Sequence, residues 1–150
     1  MRRDGAGSVA IREATTDEHV AVSRVLDGAL LDVEELPARL DGGTVLVAVD
    51  DRSSGRSSGT IVGAIVVAPE GPSKRDHPTG WPTAAHVRAI AVRRKRRRSG
   101  VGTRLLDAAV ERWSPLVADF EPEVAQFYEA AGAESSETVD GRGWALLRDR

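Results

Sequence analysis

Residues 92–103 read Val92-Arg93-Arg94-Lys95-Arg96-Arg97-Arg98-Ser99-Gly100-Val101-Gly102-Thr103, and the fold turns on how this stretch is understood. A Val/Ile/Ala-rich run from His86 to Val92 ends here, and an apolar stripe of Val101, Leu105, Ala109 and Trp113 starts at once. The spacing predicts a strand, a glycine turn and an amphipathic helix in immediate succession. Amides at a helix start have no intrahelical acceptor and point outward, where the helix dipole adds partial positive charge. Glycines let a ligand approach the backbone with no Cβ in the way. Arginines just before such a turn add charge-assisted hydrogen bonds. The segment therefore reads as a cradle for phosphate.

Its charge is local. Arg93 to Arg98 are six consecutive cations, and removing them from a net charge of -2 leaves -8 on the remainder. A protein that coats nucleic acid spreads basic charge over a face, so an anion site on an acidic body is the better reading. Two familiar phosphate loops are absent. No Gly-x-x-x-x-Gly-Lys-Ser/Thr string occurs, and Gly100-x-Gly102 is followed by Leu105 where a dinucleotide fold needs its third glycine.

Outward from this centre the elements follow by pattern. Val9 to Arg12 reads as a first strand. Thr15 with Glu18 has the form of a capping box, followed by a helical stripe of Val22, Val25, Leu26 and Ala29. Leu30 to Leu40 is helical in period but interrupted by Pro37, which predicts a second short helix opening at that proline. Thr44 to Val49 and Gly59 to Ala68 read as an antiparallel pair, and Pro69 to Pro82 as a long loop. After the central helix come a short strand at Leu116 to Ala118 and a helix from about Pro122 to Ala131 ended by Gly132. A last hairpin joins Ser136–Val139 to Trp144–Leu147 through Asp140-Gly141. The order β-α-α-β-β-β-α-β-α-β-β predicts an α+β fold with one core, a single domain over residues 1–150.

The chain has no cysteine, which excludes disulfides, thiolate metal sites and a cysteine nucleophile. No metal site is expected. Met1 to Ala10 is polar, and no run approaches the roughly 18 apolar residues of a membrane span; no membrane partner and a cytoplasmic location are the expectation.

Arg97-Arg98-Ser99-Gly100-Val101-Gly102 resembles the acetyl-coenzyme A signature Arg/Gln-x-x-Gly-x-Gly/Ala of the GNAT superfamily of N-acetyltransferases. Two more blocks agree in order: Ile11 to Thr15 with Asp17 looks like the family's first strand and helix entry, and Phe127-Tyr128-Glu129-Ala130-Ala131-Gly132 is similar to its Tyr-Glu-Lys-x-Gly-Phe string. The chain departs from the pattern with Arg94 and Arg98 in the loop, Glu121 where the family often has Asn, and Ala133 after the second glycine.

The resemblance implies a mixed, mostly antiparallel sheet flanked by helices, with splayed parallel strands at His86–Val92 and Leu116–Ala118 and a pantetheine arm between them. It implies acetyl-CoA as acyl-donor cosubstrate, held by Ile90, Ala91 and Val92 and by Arg97, Arg98, Ser99, Gly100, Val101, Gly102 and Thr103. Arg93 to Arg96 are left for the 3′-phosphate or for solvent. It implies Tyr128, the chain's one tyrosine, as proton donor to the departing thiolate. For the general base two candidates stay open: His86, a residue type that takes up protons near neutral pH, and Glu121 beside the cleft. Asp32, Glu34 and Glu35 stand on the substrate side. The acceptor would be a primary amine of a small molecule or peptide, acetylated by direct transfer. A homodimer is common in such folds, and nothing in the sequence decides it. The rival readings are a coenzyme A-binding module without turnover and, less favoured, a nucleic-acid-binding protein acting through Arg93 to Arg98.

Overall fold

A computed structural model of the chain describes residues 9–28, 35–50, 60–72, 78, 80–97 and 99–149. The first strand, β1 (Val9–Glu13), leads into a single 3-10 turn, Thr16–Glu18, and then α1 (His19–Gly28). The Thr15–Glu18 pair forms the predicted capping box: the Thr15 amide donates to Glu18 Oε1 at 2.9 Å, and the Glu18 amide also reaches the Thr15 carbonyl at 3.0 Å. Arg12 then grips both Glu18 oxygens, at 2.9 and 2.7 Å. The Arg12 hydrogen bonds outweigh burial and hold the Glu18 carboxyl down to about 2. Val22, Val25 and Leu26 face inward from α1; Ala29, the fourth residue of the expected stripe, lies outside the described residues. α2 (Leu36–Asp41) carries Pro37 in its first turn, where the missing N–H has no partner to lose.

The remaining strands are β2 (Val45–Asp50), β3 (Thr60–Ala68), β4 (Ala85–Val92), β5 (Leu116–Phe120), β6 (Ser135–Val139) and β7 (Arg142–Leu147), with α3 (Val101–Trp113) and α4 (Ala125–Ala130) between them. The described strands form one seven-stranded sheet in the order β1-β2-β3-β4-β5-β7-β6. Every neighbouring pair is antiparallel except β4 and β5. Helices cover both faces. Val101, Leu105, Leu106 and Ala109 of α3 pack on Leu46, Ala48, Ile65 and Val67, while α1 and α2 bury Val22, Leu26, Leu36 and Leu40 against Val45, Val47, Ala64 and Val66. Double coverage explains why β2 and β3 read as unbroken apolar runs rather than alternating ones.

Three boundaries differ from the sequence expectation by more than one residue. β5 continues past Ala118 to Phe120, β7 opens at Arg142 rather than Trp144, and α4 is preceded by a 3-10 turn at Pro122–Val124. The early start of β7 follows from the turn: Asp140 and Gly141 both adopt positive φ, 51° and 82°, and such a two-residue turn pairs Val139 directly with Arg142.

Arg88 is an extra residue in β4. The ladder with β3 pairs Val66 with Ala89 and then Val67 with Val87, skipping Arg88. A bulge of this kind reverses the alternation of faces. Ala85 and Val87 face the α3 side before it, and Ile90 and Val92 face that side after it. Beyond the bulge β4 also parts from β5. The two strands pair only at Ala85–Leu116, His86–Val117 and Val87–Ala118.

The Arg12–Glu18 contact makes a pH prediction. A carboxyl held low in the folded state stabilises the fold above its unfolded value of about 4.5, and that contribution is lost as pH falls toward 2. Glu18→Gln should lower stability at pH 7 by roughly 1 kcal/mol and flatten the wild-type decline between pH 4.5 and 2, as read by urea unfolding at several pH values. An unchanged slope would contradict the assignment.

Candidate active site

The open edge of β4 sets the site. The Arg93 amide donates to the Val62 carbonyl of β3 at 2.8 Å, and the Ala91 carbonyl also lies on the β3 side, against Gly63. Backbone groups alternate along a strand, so the amides of Ile90 and Val92 point the other way, into the gap left by β5, and the Ala91 backbone faces the β3 ladder. No described strand receives the Ile90 and Val92 amides there, because β5 has already diverged.

At the end of that gap stands the start of α3. Gly100, at φ 89°, is its N-cap and provides no side chain to close the helix end. The first helical amide with a backbone acceptor in the turn is that of Arg104, which reaches the Gly100 carbonyl at 3.1 Å. Those of Val101, Gly102 and Thr103 precede it and have no intrahelical acceptor. The helix start is pressed close to its surroundings: a Cβ on Gly102 would lie 3.2 Å from the Phe127 ring, and one on Gly63 3.2 Å from Val101. Ser99 is turned inward, its hydroxyl donating to the Arg96 carbonyl.

The basic run is divided by role. Arg96 forms an ion pair with Asp50 at the end of β2, and both side chains are nearly buried, at 12% and 8% exposed. Arg97 donates from Nε to the Val92 carbonyl at 3.0 Å, which lays its guanidinium across the mouth of the gap. Arg93, Arg94 and Lys95 are exposed, and Arg98 lies outside the described residues.

The other side of the gap carries titratable groups. Tyr128 on α4 is buried, stacked on Phe120 at 4.6 Å and edge-on to Phe127 at 4.9 Å. Phe120 can reach it because it lies over Gly143, where any Cβ would come within 2.3 Å of its ring. Burial first, and the negative charge of Asp119 second, push the Tyr128 phenol upward, with Arg142 opposing. His86 is also buried, stacked on Trp144 at 5.7 Å. Its Nε2 meets Asp119 Oδ1 at 2.6 Å. Arg142 donates from Nε to Asp119 Oδ2 at 2.9 Å. Burial of Asp119 would raise its carboxyl, but the His86 and Arg142 contacts outweigh it and hold it below the usual range. An ionised Asp119 must accept, so Nε2 is the protonated nitrogen. His86 Nδ1 is buried and has no hydrogen-bond partner among the described residues.

Of the residues picked from sequence, His86 meets the Asp119 carboxylate, while Tyr128 packs with Phe120 in the core on the α3 side. Glu121 stands at the rim, its side chain 66% exposed and paired with Arg142 Nη1 at 2.9 Å. Glu35 is held by Arg39 at 2.8 Å, and Asp32 and Glu34 lie outside the described residues. Asp119, Arg142 and Trp144 were not singled out by sequence. The signal for Asp119 was the alternation of Leu116, Ala118 and Phe120, which carries the strand two residues further and leaves a lone acid inside it.

The fold has known counterparts. The family model described as an acetyltransferase (GNAT) domain matches residues 41–132. No curated protein matches the chain in sequence. Among solved structures, a GNAT-family acetyltransferase from Listeria monocytogenes superposes with a TM-score of 0.73 at 17% identity, covering 97% of this chain and 98% of that one. NAA60 of Arabidopsis thaliana in complex with acetyl-CoA gives 0.69 at 12% identity, covering 94% and 99%. A mosquito arylalkylamine N-acetyltransferase-like protein gives 0.66 at 18%, covering 93% and 100%. The chain belongs to the GNAT acetyltransferase family. The matched region is an acetyltransferase domain of that family. No helix among the described residues is long and apolar enough to cross a membrane.

Because Tyr128 is the chain's single tyrosine, phenolate absorbance near 295 nm reports on it alone. The absorbance should stay absent well above the ordinary phenol value of about 10 while the fold persists. Asp119→Asn should shift the onset downward, since it removes one of the two influences raising it. Ionisation at the ordinary value, or no shift in the variant, would contradict the description.

Proposed function

We propose that this protein transfers the acetyl group of acetyl-CoA directly to a primary amine of a small molecule or peptide, within one domain and with no covalent enzyme intermediate. The observation that carries the reading is the three-pair contact of β4 and β5, which opens a slot ending at the uncapped start of α3. A cradle without a Cβ at Gly100, with outward amides and basic neighbours, fits a pyrophosphate. Acetyl-CoA, when bound, supplies the activated acyl thioester.

The protein's own groups do the rest. The amides of Val101, Gly102 and Thr103 bind the diphosphate, and Arg97 adds charge beside them, with Arg98 and Ser99 completing the loop. The amides of Ile90 and Val92 hold the arm in the slot and donate to the carbonyl oxygen as negative charge develops there. Ala91 places them by keeping the strand on β3. Tyr128, kept protonated by its burial, holds a proton at Oη for the departing sulfur. His86, paired through Nε2 with Asp119, is the favoured base for the proton that the acceptor must lose. Glu121, exposed and held by Arg142, is the weaker candidate for that step. Holding both reactants together supplies much of the acceleration.

Isothermal titration with acetyl-CoA should show binding by the wild type and none by Gly100→Asp, which puts a carboxylate into the phosphate cradle. Tyr128→Phe should keep the acetyl-CoA affinity and lower kcat by about 10²-fold or more in thiol release with a panel of primary amines. A Tyr128→Phe enzyme of unchanged kcat would favour a different proton donor, and a wild type that binds without turnover would favour a coenzyme A-binding module.

A further inference from the structure

Asp119 has a position that the reaction described above does not yet use. It is the first β5 residue beyond the last parallel pair, Val87–Ala118, so it stands where the slot opens. Its β7 neighbour is Trp144, on the face of the sheet away from α3. A pocket of about 290 Å³ lies there, lined by Pro72, His86, Arg88, Asp119, Arg142 and Trp144 among others. That is a volume suited to a small ligand.

The ionic contacts around the pocket are unevenly filled. Arg142 is engaged twice, by Asp119 and Glu121. Arg88 stands 3.9 Å from Glu35 and 3.8 Å from Glu70, but both of those carboxylates are gripped by Arg39, at 2.8 and 2.7 Å. Asp119 accepts one hydrogen bond on each oxygen, from His86 and Arg142. An ionised carboxylate offers about four acceptor sites, so half its capacity remains. Its side chain is 24% exposed, which keeps an edge open to the pocket. A cation seated on Asp119 therefore lies beside His86 and the Trp144 ring, on the sheet face away from α3.

We propose that Asp119 is the seat of the acceptor's ammonium nitrogen: it receives a primary alkylammonium in a charge-assisted hydrogen bond, with His86 fixing the carboxylate and Trp144 walling the pocket. This rests on the amine-acceptor reading and gives it a residue. It also sets a substrate class, an amine that arrives protonated, in preference to a neutral nucleophile of the same shape.

The test is an NMR titration of the full chain, with coenzyme A present, using benzylamine and its neutral near-isostere benzyl alcohol. Benzylamine should shift the Asp119 amide and the Trp144 indole N–H with millimolar affinity. Benzyl alcohol should bind at least about tenfold more weakly, as should benzylamine to Asp119→Asn. Arg142→Gln should bind benzylamine more tightly, by roughly two- to fivefold, because it removes a cation that competes for the same carboxylate. A purely structural Asp119 predicts weaker binding in both variants and no preference for the cation. Equal affinity for alcohol and amine, unchanged binding in Asp119→Asn, weaker binding in Arg142→Gln, or no shift at Asp119 and Trp144 up to tens of millimolar would each overturn the proposal. Acetyl-CoA affinity, measured in parallel, separates the failures. If the wild type does not bind acetyl-CoA, the donor-site reading falls; if it does and benzylamine shifts nothing, only the Asp119 proposal falls. Loss of acetyl-CoA binding in Asp119→Asn marks the residue as structural and also overturns it.

Discussion

Everything functional in this molecule depends on β4 and β5 separating after three paired residues. A buried strand edge with unpaired amides is costly unless something else accepts from them. Here the parting follows the Arg88 bulge, which turns β4 and exchanges the faces of its side chains. The open edge points two amides at a slot, and α3 begins where the slot ends. Because Gly63 lets Val101 and Leu105 settle directly onto β3, the helix start is held against the sheet and cannot drift from the slot it closes.

The six-cation run shows how a charge cluster is divided once it folds. Arg96 is removed from the ligand side by its nearly buried pair with Asp50, which ties the phosphate loop to the end of β2. Breaking a pair of that burial leaves an uncompensated charge, so its role is to hold the loop in place. Arg97 is turned onto the Val92 carbonyl. The acidic body has its own ordering. The Glu35–Arg39–Glu70 contacts tie α2 to the segment after β3, and the His86–Asp119–Arg142–Glu121 chain ties β4, β5 and β7 across the mouth of the slot.

The order of elements was legible because helix and strand periods, Pro37 and the Gly100 and Gly132 breaks act locally. The donor cradle was legible for the same reason, as it is built from twelve consecutive residues. The acceptor side was not. Asp119 lay one residue past the strand as read, and Arg142 two residues before the next, so neither was placed in the sheet, although the alternation to Phe120 and the Asp140-Gly141 turn carried the information. Their partnership with His86 joins positions 33 and 23 residues apart, a relation that only the strand order β4-β5-β7 creates. The bulge left no mark in composition, since Arg88 reads in sequence as a polar residue on an exposed face.

The central claim is that the Ile90 and Val92 amides face the donor slot while Ala91 belongs to the sheet. Residue-resolved amide hydrogen exchange, with and without saturating acetyl-CoA, tests it most directly. The account predicts strong slowing at Ile90, Val92 and Val101 to Thr103, with Ala91, already paired to β3, nearly unchanged. Uniform slowing across β4, or no change at Ile90 and Val92 despite binding, would contradict it and place the donor elsewhere.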